Sequence, residues 1–206
     1  LLHWARLLAQ DWEGMQQTAA QCGGQLTGTL RIGAIPTTLA VTPALTEAYH
    51  REYPGVRIQL VSRNAEELIR QLDAFELDLG LTYLEDPSLK GFQCLPLYRE
   101  RYVLLDRNYD LQQGESPLKW SDLADLPLCL LTPDMQSRRW IDAACREAGV
   151  VPKVCLETDS VFTLYAHVRS AGLYSVIPHS LLNLMEMRQE VAALPLTPEL
   201  SREIGL

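Results

Sequence analysis

Short apolar runs return at helix-length intervals along this chain, and that rhythm constrains its fold more than any other feature. GTLRIGAI (28–35) reads as a strand and TLAVTPALTEAYHREY (38–53) as a helix. VRIQLVSR (56–63) is the next strand, AEELIRQLDAF (65–75) the next helix, and LDLGLTY (77–83) a third strand. The order then repeats. PLCLLT (127–132), QSRRWIDAACREAG (136–149), KVCLETD (153–159), SVFTLYAHVRSAG (160–172) and YSVIP (174–178) alternate strand and helix in the same way. Strands separated by helix-length spacers need crossovers, which imply mainly parallel sheets. The chain is therefore predicted to be α/β, with two Rossmann-like lobes and a cleft between them.

PLYRERYVLLDRNYDL (96–111) lies between the repeats and is rich in residues that favour strands, which suits a segment crossing from one lobe to the other. WSDLADLP (120–127) reads as a helical turn that Ser121 can cap. Ahead of the first lobe, Leu1, Leu8, Met15 and Cys22 fall on a seven-residue repeat, with Trp4, Ala5, Trp12 and Ala19 beside them. Such a stripe needs a partner, so residues 1–24 read as a linker helix or dimerisation arm that Gly23-Gly24 ends. On this ground the chain is expected to be at least dimeric. Lobe I then takes residues 25–100, with 197–206 returning to it, and lobe II takes 101–196.

A net charge of −8 argues against this chain gripping a phosphate backbone by itself. Cys22, Cys94, Cys129, Cys145 and Cys155 form no CxxC pair and sit mostly among apolar neighbours, which suits reduced thiols in a cytoplasmic protein. His3, His50, His167 and His179 are scattered, so no metal site is expected, and no cofactor motif is present either. No apolar run approaches the roughly 20 residues that span a bilayer, and no signal peptide opens the chain. A soluble protein without membrane contact is expected.

Taken together, five segments resemble the LysR-type transcriptional regulators, in their effector-binding domain with the end of the linker helix. They are GTLRIGAIPTTLAVTPAL (28–45), HREYPGVRIQLV (50–61), AEELIRQLDAFELDLGL (65–81), LPLYRERYVLL (95–105) and AGLYSVIP (171–178). The resemblance implies a periplasmic-binding-protein-like fold preceded by a linker helix, and a small-molecule effector. It implies assembly as a homodimer or homotetramer, and promoter DNA bound through an N-terminal winged helix-turn-helix missing from this chain. It also implies a return strand and a terminal helix after SREIGL, so the chain is expected to stop short of them.

Candidate ligand residues follow from where strands end, because ligands of open α/β sheets sit beyond the carboxyl ends of their strands. Helix N-termini there offer unpaired N–H groups and a partial positive charge. Pro36, Thr37 and Thr38 stand at the first such junction; the bland alternative is that a Thr merely caps the helix. The resemblance supports the ligand role for this loop. Ser62 and Arg63 end the second strand, where Arg63 can pair a carboxylate or stay a solvated surface Arg. Thr82 and Tyr83 end the third and are read as a hydroxyl and an aromatic wall. On the opposite lobe Thr132 ends a strand and Met135, Gln136 and Ser137 stand near a helix N-terminus, where Ser137 can equally be a plain cap; Ser160, after Asp159, has the same geometry.

The chain is thus read as a bacterial effector-sensing domain that binds a small polar or anionic metabolite in its cleft. It is not read as an enzyme. GAIPTT stands where a phosphate-binding glycine loop would be, and no spacing suggests a Cys–His or Ser-His-Asp arrangement. The alternative is a periplasmic-type solute-binding protein of a transport system, which shares the bilobal plan. An export signal upstream would favour it, and a helix-turn-helix upstream would favour the regulator.

Overall fold

The computed structural model describes residues 26–107, 118–183 and 191–206. The expected linker helix over 1–24, with Cys22, lies outside the described residues, as does the end of the crossing segment at 108–111. Lobe I begins with β1 (Gly28–Ala34), a 3-10 turn (Pro36–Thr38), α1 (Thr42–Glu52), β2 (Val56–Ser62), α2 (Ala65–Asp73) and β3 (Leu79–Tyr83). After a turn at Pro87–Leu89 comes the long β4 (Pro96–Asp106), then β5 (Leu118–Lys119) and a turn at Trp120–Leu123. Lobe II follows with β6 (Leu128–Leu131), α3 (Gln136–Glu147), β7 (Val154–Thr158), α4 (Val161–Ala171) and β8 (Ser175–Pro178). A 3-10 turn (His179–Asn183), β9 (Ala192–Thr197) and β10 (Ser201–Gly205) close the described chain.

β4 serves both lobes. Its first half, Pro96–Arg101, pairs with β10, and its second half, from Tyr102 onward, pairs with β8 and β9. β1 pairs in parallel with β2 and β3, and β6 with β7, as crossovers require. The pairs involving β4 and β10 are antiparallel, so the main, eight-stranded sheet is mixed rather than mainly parallel. SREIGL, expected to precede a return strand, itself forms one: β10 sits between β3 and β4.

The first helix starts later than its sequence pattern suggests. The chain takes the Pro36–Thr38 turn first, and α1 begins only at Thr42, with Val41 at its N-cap and no side-chain cap. Neither Thr37 nor Thr38 caps α1, so the bland explanation of that stretch fails. α2 is capped by Asn64, whose Oδ1 accepts the Glu67 N–H at 2.9 Å. α2 lies directly on the sheet because Gly80 leaves room: a Cβ there would meet Leu68 and Leu72 side-chain carbons at 2.7 and 2.8 Å. Gly172 ends α4 in the left-handed conformation at φ 67°.

Lobe I packs Ala34, Leu68, Leu81, Tyr83 and Ile204 into one core. Lobe II has a core on each sheet face, because β4 and β6 send alternate residues to opposite sides. Leu104, Leu128 and Leu130 pack with Trp120 and Ile141 of α3, while Leu105, Cys129 and Leu131 pack with Leu164 and Val168 of α4.

Candidate functional site

The lobes meet where the ends of β1, β2 and β3 face the starts of α3 and α4. Two compartments share Pro36 as a wall. One is enclosed, lined by Thr37, Asn64 and Tyr83 from lobe I and by Met135, Gln136 and Ser137 from lobe II. It offers about 10 Å³, room for a single water among polar groups. The other is an open groove of about 390 Å³ between Leu39 and Ser62 on one side and Asp159, Ser160, Val161, Phe162 and Leu181 on the other. That volume falls within the usual range for small-molecule sites.

Side chains bridge the lobes around the enclosed compartment. Asn64 Nδ2 donates to Asp134 Oδ2, and Gln136 Nε2 donates to Asp86 Oδ2, each at 3.3 Å. The Thr132 hydroxyl, and after it the Asn64 amide, hold the Asp134 carboxyl below the usual range. Trp140 of α3 stands edge-on to the Tyr83 ring, with centroids 4.4 Å apart, and Arg202 of β10 lies 4.5 Å over the same indole.

Behind the compartment runs a buried polar chain. Thr37 Oγ1 and the Tyr83 hydroxyl share a hydrogen bond of 2.9 Å, and the Tyr83 and Tyr102 hydroxyls share another of 2.9 Å. Burial pushes both phenols above their ordinary range, so both stay neutral. Glu100, fully buried on β4, completes the cluster. Its Oε1 accepts from Ser180 Oγ at 2.7 Å and from the Tyr98 hydroxyl at 3.3 Å. Burial pushes its carboxyl up to about 7, against the Ser180, Tyr98 and Tyr83 hydroxyls that favour the ionised form.

The structure sorts the residues singled out from sequence. It brings Pro36, Thr37, Tyr83, Met135, Gln136 and Ser137 to the enclosed compartment, and Pro36, Ser62 and Ser160 to the groove. Thr132 stands beside them, holding Asp134. Three others turn away. Thr38 is fully buried and its hydroxyl donates to the Ile35 and Leu81 carbonyls, at 3.0 and 3.4 Å. Thr82 lies on the opposite face of β3 from Tyr83, as strand alternation demands, and lines an apolar pocket with Leu72, Gly80 and Leu84. Arg63 folds its guanidinium back onto its neighbour's carbonyl, Ser62 O, at 2.7 Å and lines neither compartment.

Glu100 was missed, although a signal for it existed. Tyr98, Glu100, Tyr102 and Leu104 alternate along β4, which puts a carboxylate on the apolar face.

Cys94, Cys129, Cys145 and Cys155 are free thiols, and none lines either compartment. Burial pushes the Cys129 and Cys145 thiols up to about 11, while Cys94 and Cys155 are exposed. Maleimide at neutral pH should label Cys94 and Cys155 in the folded protein and spare Cys129 and Cys145. Peptide mapping reads this directly, and rapid labelling of Cys145 would contradict the buried placement. Among the described residues no cluster of His, Cys, Asp and Glu could hold a metal ion, and no helix is long and apolar enough to cross a membrane.

A family profile described as the LysR substrate binding domain matches residues 23–206. The chain belongs to that family. It is 26% identical over 208 residues to the DNA-binding transcriptional dual regulator OxyR of Escherichia coli K12, covering 100% of this chain and 68% of that protein. A hydrogen-peroxide-bound OxyR mutant from Corynebacterium glutamicum shares the fold, with a TM-score of 0.75 at 24% identity over 98% of this chain and 65% of that one. Full-length CbnR complexed with its target DNA gives a TM-score of 0.71 at 17% identity, over 98% and 70% of the two chains. The two-lobe architecture and the regulator reading both stand on this match, and the transport alternative falls. The LysR-family chain is an effector-binding domain of a transcription regulator.

Proposed function

We propose that this domain senses a small polar or anionic metabolite held between its lobes, in the groove beside Pro36. The groove carries the reading, because both lobes wall it and a molecule there touches both at once. Leu39, Val161, Phe162 and Leu181 supply apolar wall, while Ser62 and Ser160 supply hydroxyls. The first turn of α4 adds N–H groups and a partial positive charge at the same rim. Asp159 opposes a bare anion, which favours an effector that also offers a donor. A polar end reaching past Pro36 would meet Thr37, Gln136 and Ser137 in the enclosed compartment.

Hydrogen peroxide is named for several relatives. Among the described residues no cysteine lines either compartment, which favours a bound molecule over an oxidised thiol as the signal. The protein acts without catalysing a reaction, in the cytoplasm, as a homodimer or homotetramer. A winged helix-turn-helix outside this chain contacts promoter DNA. In this reading lobe I comprises 25–100 with 197–206 and lobe II 101–196. Effector binding favours one arrangement of the lobes by its differential affinity for it.

A thermal-shift screen of metabolites tests the reading, since a ligand at 100 times its Kd adds about 2.7 kcal/mol of stability. Ser62→Phe fills the groove from the exposed end of β2. It should abolish the shift while leaving the ligand-free melting temperature within a few degrees of wild type. An effector that still stabilises Ser62→Phe binds elsewhere.

A further inference from the structure

Glu100 sits where the two lobes are joined. Its strand, β4, pairs with β10 up to Arg101 and with β8 of lobe II from Tyr102. The hydroxyl that holds it most closely, Ser180 Oγ at 2.7 Å, comes from the lobe II turn after β8. That turn abuts the Pro36–Thr38 turn of lobe I. Glu100 is therefore sealed from water by parts of both lobes, and its second oxygen, Oε2, has no hydrogen-bond partner among the described residues.

The groups around it leave its charge unpaired. From β4 it faces Tyr98 and Tyr102, while Arg99 and Arg101 point to the exposed face. From β3 it faces Tyr83, which passes the chain on to Thr37. Arg202 lies opposite Glu100 in register on β10, but its guanidinium is turned onto the Trp140 ring and the Ser201 carbonyl. His179 precedes Ser180 on the lobe II turn and has its own interactions. Among the described residues only hydroxyls donate to this acceptor with its four lone-pair sites, and Oε2 goes unserved.

We propose that Glu100 is a proton-operated clamp on the lobe interface, whose protonated form favours the closed lobes and whose ionised form favours an arrangement that admits water to it. The physical reason is reciprocity. If closing the lobes makes a carboxylate expensive, then ionising the carboxyl makes closure expensive by the same amount. The sign is fixed by the direction of the shift. The closed form holds its proton up to about 7 where an open, hydrated carboxyl loses it near 4.5, so closure is fully favoured below 4.5 and is lost progressively as pH rises to about 7. Full hydration in the open form sets the ceiling of that change, about 300-fold in the closed-to-open ratio.

Spin labels at Arg70→Cys and Arg146→Cys, on the exposed far ends of α2 and α3, report the separation of the lobes. Cys22, Cys94 and Cys155 are replaced by Ser in that background. Distances measured by pulsed electron resonance at about pH 4 and about pH 8 bracket the transition. Wild type should show one short distance at the lower pH and at least tenfold more of a longer one at the higher. Glu100→Gln, isosteric and uncharged, should stay short at both. Ser180→Ala removes a donor that favours the carboxylate, so its transition should move to higher pH. A wild-type distance distribution that ignores pH overturns the clamp. So does a Glu100→Gln protein, or, should that variant fail to fold, a Ser180→Ala protein, that responds to pH as wild type does.

Discussion

Arg138→Met should cost about 3 kcal/mol of folding stability, measured by urea unfolding at neutral pH, although the residue lies on a helix that faces water. Arg138 is 7% exposed on the first turn of α3. Its Nη1 donates to the Leu131 carbonyl and to Glu157 Oε1, both at 2.7 Å, and its Nε donates to Asp142 Oδ1 at 2.9 Å. Met preserves the packed stem and removes all three bonds. The Leu131 carbonyl then lacks this donor at the buried end of β6. The two carboxylates suffer less because both are partly exposed and can hydrate, which places the cost at the lower end for a broken buried pair. Arg139→Met, one residue along on the exposed face, should stay within about 0.5 kcal/mol of wild type. Equal stability for the two variants would mean that the network contributes nothing. The consequence for the site is direct, because Arg138 anchors the turn that presents Met135, Gln136 and Ser137 to the cleft.

That anchor shows what was and was not legible in the sequence. Strand and helix order could be read because each element carries its own period, and an apolar run keeps that period wherever it packs. The cleft followed from two such units in tandem. Side-chain direction at strand ends was also legible and was overlooked: Thr82 and Tyr83 are consecutive on one strand, so only one of them can face the cleft. Glu100 belongs with them, announced by its place between Tyr98 and Tyr102. The bridges between lobes were beyond reach. Asn64 meets Asp134, and Gln136 meets Asp86, across separations of 70 and 50 residues. No local spacing encodes such a pair; only the packing of one lobe on the other does. Arg63 was undecidable for a different reason, since a flexible cation at a strand end has a neighbouring carbonyl within reach as readily as a ligand.

Separating Thr37 from Thr38 gives the largest expected effect on ligand affinity. Sequence alone favours Thr38 as the residue with both a structural and a ligand role, because it is nearer the helix. The structure reverses that order. Thr38 spends its hydroxyl on the Ile35 and Leu81 carbonyls and lines no compartment, whereas Thr37 lines the enclosed one and reaches the Tyr83 hydroxyl. Thr38→Val should therefore cost about 1 kcal/mol of stability and leave affinity for an effector found by thermal shift within about twofold. The cost is modest because the Ile35 carbonyl keeps the Thr38 N–H at 2.9 Å. Thr37→Val leaves Tyr83 its bond to Tyr102, so stability should change little. An effector whose polar end enters the compartment loses a buried hydrogen bond there, which weakens binding by roughly 1–3 kcal/mol, a factor of about 5 to 150. Calorimetry on both variants decides it. Unchanged affinity in Thr37→Val confines the effector to the open groove, and a loss confined to Thr38→Val would mean that the backbone of the turn, not its hydroxyls, makes the contact.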